Sequence, residues 1–159
     1  MPRIGLGFDI HRLVDGRPLF LAGVRVQDSP GLLGHSDADV VLHAVIDAAL
    51  GAAGMEDIGT HFPPDNPALE GISSVELLAR TLQKLADASL TVAQVDVNII
   101  AERPKLSERK TELKSNLARL LGLDESFVAV KARSMEGLGP VGAGEAIAAQ
   151  AIAVLKELS

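Results

Sequence analysis

The sequence predicts an α+β domain in which helices lie against one face of a mixed sheet. Short runs at residues 4–11, 95–99 and 127–132 alternate in polarity or are rich in β-branched residues, as strands are. Between them lie long segments whose apolar residues recur at helical spacing. No linker, repeat or low-complexity run divides the 159 residues, so residues 1–159 read as one domain.

Residues 4–11 read as a strand that Gly5 and Gly7 allow close to a ligand, and the period of two places Asp9 and His11 on one face. Residues 18–26 suggest one or two strands turning at Gly23, and residues 27–34, with Pro30 and Gly31, a loop. A helix is expected over 38–53, with Asp37 and Asp39 at its positive end. His43 and Asp47 share one face of it, and Asp39 reads as a solvated carboxylate. Pro63, Pro64 and Pro67 make 60–71 a shaped loop. Ser73-Ser74-Val75-Glu76 resembles a capping box opening a helix to about 88, with Leu77, Leu78, Leu82 and Leu85 on its apolar face. A helix over 106–121 closes at Gly122. Residues 135–144 form a Gly-rich loop, and the Ala-rich tail 146–158 fits either a helix or a final strand.

Composition narrows the function. Hydrophobic residues make up 47% and aromatics 3%, so the core must be aliphatic. A net charge of −6 argues against a general nucleic-acid binder, which needs a basic face. Cysteine is absent, which removes disulfides, thiolate nucleophiles and thiolate metal sites. No apolar run approaches the ~20 residues of a membrane span, and residues 1–7 hold no signal-peptide core. The expectation is a soluble cytoplasmic protein with no membrane partner.

All four histidines fall within the first 61 residues and are interleaved with carboxylates. Asp9, His11 and His43 are candidate ligands from separate segments. Two imidazoles and one carboxylate leave an open position, the arrangement of catalytic zinc. The plainer reading is a half-buried Asp–His pair and a satisfied core histidine. Asp47 or Asp39 would orient His43 from behind. His35 and Ser36 precede a helix N-terminus, where anions are favoured, though Ser36 also suits a simple cap. Lys105, Arg133 and Ser134 follow strands, where a phosphate is readily met, and Glu136 is a candidate ligand for a second metal.

Taken together, these segments resemble the 2-C-methyl-D-erythritol 2,4-cyclodiphosphate synthase family. The match runs through Ile4-Gly5-Leu6-Gly7-Phe8-Asp9-Ile10-His11, residues 34–43, Asp57-Ile58-Gly59, Phe62-Pro63, Arg103-Pro104-Lys105 and Glu136-Gly137-Leu138-Gly139. The resemblance implies a chorismate-mutase-like fold assembling as a homotrimer, with sites between subunits. It implies Zn2+, or another divalent cation, on Asp9, His11 and His43, and Mg2+ or Mn2+ held by Glu136 and substrate phosphates. The substrate would be 4-diphosphocytidyl-2-C-methyl-D-erythritol 2-phosphate, cyclised with loss of CMP, which makes the protein a phosphorus–oxygen lyase. His35 and Ser134 would steady the transferring phosphoryl group. Asp57 and Gly59 would meet the erythritol portion, and residues 101–107, with Ala101, Pro104, Lys105 and Leu106, the cytidine diphosphate portion; Ser36, Ile58, Phe62, Asp65 and Arg133 are further candidates for contact with the substrate.

Three departures stand out. Arg133-Ser134 replaces a frequent Thr-Thr pair, and Pro63-Pro64-Asp65-Asn66 replaces Pro-Asp-x-Asp. Ala143 replaces an arginine that would meet an isoprenoid diphosphate on the trimer axis. Two other readings are a metal-dependent phosphoesterase using water, and a trimeric binding module with a structural zinc held by a fourth ligand, His35 or His61.

Overall fold

A computed structural model describes residues 1–158. In chain order the elements are β1 (Arg3–Val14), β2 (Leu19–Leu21), β3 (Val24–Gln27), β4 (Gly31–Leu32), α1 (Val40–Ala52), α2 (Ile58–His61), α3 (Ser74–Asp87), β5 (Leu90–Ile100), α4 (Lys110–Leu121), β6 (Val128–Arg133), α5 (Gly139–Gly142) and β7 (Ala146–Glu157). Five strands form a mixed sheet in the order β4-β1-β7-β5-β6, in which only β5 and β6 run parallel. The expected α+β class holds, and α1, α3 and α4 pack on one face of this sheet.

The helix α1 is apolar almost all round. Ten of its 13 residues are buried, and the exceptions, His43, Asp47 and Gly51, fall on one i, i+4, i+8 line. That line is the polar stripe from which a site can be built. Gly5 and Gly7 do not serve a ligand, as the sequence suggested; they make room for α1. A Cβ at Gly5 would collide with the Ala48 carbonyl, and one at Gly7 with that of Ala44. With the helix seated so closely on β1, His43 comes opposite Asp9.

The Ala-rich tail is a strand, not a helix. As β7 it lies between β1 and β5 and pairs antiparallel with both over most of its length. Ile147, Ala149, Ala151, Ala153 and Leu155 face α1 and are buried. Small side chains let the helix approach, and the two ladders it completes outweigh alanine's helix propensity. The loop expected at 27–34 contains β4, paired with β1. The turn at Gly23 joins β2 to β3, with Ala22 and Gly23 both at positive φ, as tight hairpins require. α4 begins at Lys110, not 106, and ends at Gly122, whose φ of 66° stops the helix.

Among the described residues, the other sheet face carries only the short α5, whose Val141 packs on Ala146, Ala148 and Ile100 at one end. Ile4, Leu6, Phe8 and Ile10 of β1 and Ile152 of β7 project from it and are 44–69% exposed.

Candidate metal centre and substrate cavity

Asp9 and His11 stand on the buried side of β1, as the strand period requires, and His43 faces them from α1. Asp9 Oδ2 lies 2.9 Å from His11 Nε2 and 3.0 Å from His43 Nδ1. Both rings are held from behind. The Nδ1 of His11 is 2.7 Å from the Leu33 carbonyl, which can only accept, so Nδ1 carries the proton and Nε2 is bare. His43 Nε2 is 2.9 Å from Ser74 Oγ, whose own proton is donated to Asp37 Oδ1. The hydroxyl therefore accepts from Nε2–H, and Nδ1 is bare. Ser36 Oγ stands farther off, at 3.3 Å. With both rings neutral, two bare imidazole nitrogens thus converge on one carboxylate oxygen, a contact of three acceptors that a proton or a metal ion between them would satisfy. A divalent metal fits this donor set, and zinc fits it well. Neither His35 nor His61 joins the three, so among the described residues the set is open, with no fourth protein ligand.

Without a metal, a proton can take that place. Burial works against ionisation of Asp9, but hydrogen bonds from His11 and His43, and their charge, hold its carboxyl far below the usual carboxylate range. The bond to Asp9 raises His11, against the opposing effect of burial.

Asp39 is not a solvated carboxylate. It is fully buried and caps α1, accepting from Val41 and Leu42, and it also accepts from Ala22 and Gly23 in the β2–β3 turn. Burial pushes it up to about 6 against the pull of those donors. Its backbone carbonyl accepts from His43 N–H, but its carboxylate makes no bond to the His43 ring, and nor does that of Asp47, which accepts from Ile58 N–H at 2.8 Å and is raised by burial. Ser36 is not the cap of α1; it accepts from Ala38 N–H. The groups behind His43 are Ser74 and Asp37. Sequence reasoning missed both, because 31 residues separate Ser74 from His43.

A cavity of about 270 Å3 opens over the three ligands. His35, Ser36, Ile58, Gly59 and Phe62 line it, as expected. Asp57 caps α2 through Thr60 N–H and is lowered by that bond, and Asp65 is exposed; neither lines the cavity, where Pro63 and Pro64 stand. Asn66 caps the turn at Pro67–Leu69. A second recess, of about 150 Å3, is lined by Ala101, Pro104, Lys105, Leu106, Arg133 and Ser134, together with Ser107 and Lys110, and shares no residue with the first. Arg103 is engaged on the Gly144 carbonyl and Lys131 on Asp96. Glu136 is exposed, accepts from the Ser134 hydroxyl at 2.8 Å and stands outside the three-ligand group. Ala143 is exposed at the C-terminal end of α5.

Residues 2–156 match the YgbB family. The chain belongs to that family. A relative from Desulfatibacillum aliphaticivorans, 2-C-methyl-D-erythritol 2,4-cyclodiphosphate synthase, is 49% identical over 154 residues, covering 97% of this chain and 99% of its own length. The bifunctional enzyme IspD/IspF of Novosphingobium aromaticivorans is 50% identical over 155 residues, and the chain spans 40% of it. A solved 2C-methyl-D-erythritol-2,4-cyclodiphosphate synthase in a CDP-bound form is 35% identical with a TM-score of 0.88, covering 97% of this chain and 100% of that one. The bifunctional IspDF from Campylobacter jejuni gives a TM-score of 0.95 at 38% identity, over 100% of this chain and 43% of that one. The resemblance read from the motifs is therefore the correct family.

Proposed function

We propose that this chain is a cyclodiphosphate synthase domain. It converts 4-diphosphocytidyl-2-C-methyl-D-erythritol 2-phosphate to 2-C-methyl-D-erythritol 2,4-cyclodiphosphate with release of CMP, in the non-mevalonate route to isoprenoid precursors. The observation that carries this reading is the open Asp9–His11–His43 set at the floor of a cavity, in a chain whose full-length relatives carry that name. In the reaction an oxygen of the 2-phosphate bonds to the β-phosphorus, and the bond from that phosphorus to the CMP oxygen breaks. CMP leaves with the electron pair. The work asked of the protein is to fold the substrate on itself and to neutralise charge.

Asp9, His11 and His43 would hold the zinc, which when bound polarises a phosphate oxygen as a Lewis acid. His35 and Ser36 at the cavity mouth contact the phosphoryl oxygens. Ile58, Gly59 and Phe62 shape the erythritol end, with Asp57 and Asp65 at its rim. Ala101, Pro104, Lys105 and Leu106 hold the cytidine diphosphate, and the cations of Lys105 and Arg133 offset its charge. Ser134 steadies the transferring group, and Glu136 takes Mg2+ or Mn2+ shared with the phosphates.

The two recesses share no residue, and neighbouring subunits would make one site by bringing the recess of one to the cavity of the next. This favours a homotrimer, and the bare apolar face of β1 and β7 supplies a surface to bury, since patches of that kind mark interfaces. The reading implies a cytoplasmic enzyme; no helix is long and apolar enough to cross a membrane. Incubation with the cytidyl substrate and mass spectrometry of the products tests the proposal. CMP with a cyclic diphosphate is expected. A linear diphosphate or inorganic phosphate would indicate a phosphoesterase, and no turnover a binding module.

A further inference from the structure

We infer that Asp37 and Ser74 form a relay behind His43 that fixes its tautomer and so makes Nδ1 a metal ligand; the inference rests on the metal-site reading above. Ser74 is fully buried at the first turn of α3, and Asp37 lies in the loop ahead of α1. Asp37 receives three donors: the Ser74 hydroxyl and the Asp39 N–H on Oδ1, and the Ser74 N–H on Oδ2 at 3.0 Å. A carboxylate so surrounded only accepts, so the single hydroxyl proton of Ser74 points to it. The lone pair of Ser74 then faces His43 Nε2, and the imidazole proton must sit there. Nδ1, turned toward Asp9 at 3.0 Å, is left to bind a cation.

The relay also has a mechanical side. Its members come from α1, the loop before it and the N-terminus of α3, so the seating of α3 against α1 reaches the metal ligand directly. Asp37 and Ser74 are positioning residues, acting through His43. An amide at position 37 would reverse the relay. With its oxygen accepting from the Ser74 N–H, its NH2 gives up the long bond from Asp39 N–H and donates to Ser74 Oγ. The hydroxyl then donates to His43 Nε2, and the imidazole proton moves to Nδ1, the ligand atom.

Two measurements test this on the full chain. The first is zinc affinity at fixed pH, by competition with a chromophoric chelator and with Zn2+ alone as probe. Ser74→Ala and Asp37→Asn should each weaken binding by about 10- to 100-fold, the usual effect of losing such a partner. Ser74→Thr, which keeps the hydroxyl, should stay close to the natural chain. The second is nitrogen-15 NMR of His43 at alkaline pH in Asp9→Ala protein, where no carboxylate draws a proton to Nδ1. Nε2–H is expected there, and Nδ1–H once Asp37→Asn is added. Unchanged zinc affinity in Ser74→Ala and Asp37→Asn, even with lowered stability, overturns the relay, as does an Nδ1–H tautomer in the Asp9→Ala protein. If the natural chain binds no zinc, the metal reading itself fails, and the NMR tautomer still decides the relay. Should Ser74→Ala not fold, Asp37→Asn carries the affinity test.

Discussion

Asp9 Oδ2 is the point on which the centre turns, because two ring nitrogens with lone pairs both address it. Removing one ring should cost more than removing a partner behind it. His43→Ala is expected to lose zinc and to lower turnover by at least about 100-fold, with the fold intact. Metal analysis and a CMP-release assay check this, and stoichiometric zinc with normal turnover would overturn it.

The same contacts set a pH response in metal-free protein. His11 is raised above 6.5, so its contribution to stability is complete below that value and is lost as pH rises through the folded value. Asp9 is lowered from 3.8, so its contribution is complete above that value and is lost as pH falls. The pair therefore stabilises most between 3.8 and 6.5. Denaturant melts of metal-free protein should weaken above that window, and added zinc, which replaces the proton between the ligands, should remove the decline. Glu136→Gln should blunt the response to Mg2+ in steady-state assays without changing zinc content, because Glu136 stands apart from the three ligands.

At the scale of elements, Asp39 joins the start of α1 to the β2–β3 turn. It accepts four backbone N–H groups within the core. Asp39→Ala leaves them without a protein partner, and an unsatisfied buried donor costs about 1–3 kcal/mol. A loss at the upper end of that range or beyond is expected in urea unfolding, and a loss below about 0.5 kcal/mol, the level of an ordinary surface change, would refute the capping role. This residue also marks a limit of sequence reading. An Asp ahead of a helix signals a cap, which suggests local solvation. Its burial comes from the hairpin folding over it from 16–17 residues away.

The whole molecule shows two recesses and one bare apolar face. If trimer formation brings the Lys105 recess of one subunit to Asp9, His11 and His43 of the next, two differently broken subunits can share one good site. Mixing His11→Ala with Lys105→Ala chains should restore part of the activity that each lacks alone. Verified mixed trimers with no recovery would mean that each site is complete within one subunit.

Local pattern carried much of this. The period of two put Asp9 and His11 on one face of β1, and the capping box at Ser73 opened α3 where expected, with Ser73 Oγ accepting from Glu76 N–H. Gly122 closed α4. The family was legible too, because its motifs are short, contiguous runs. What the tertiary structure decided were contacts between distant segments. Alanine's helix preference in β7 yields to two flanking ladders, which no local window contains. Gly5 and Gly7 are silent about their neighbour until α1 lies on them. The tautomer of His43 depends on Ser74 and Asp37, which come into contact only when α3 docks on α1. Periodicity and motifs are properties of neighbours along the chain. Burial, ladder pairing and the direction of a shared proton are set by neighbours in space.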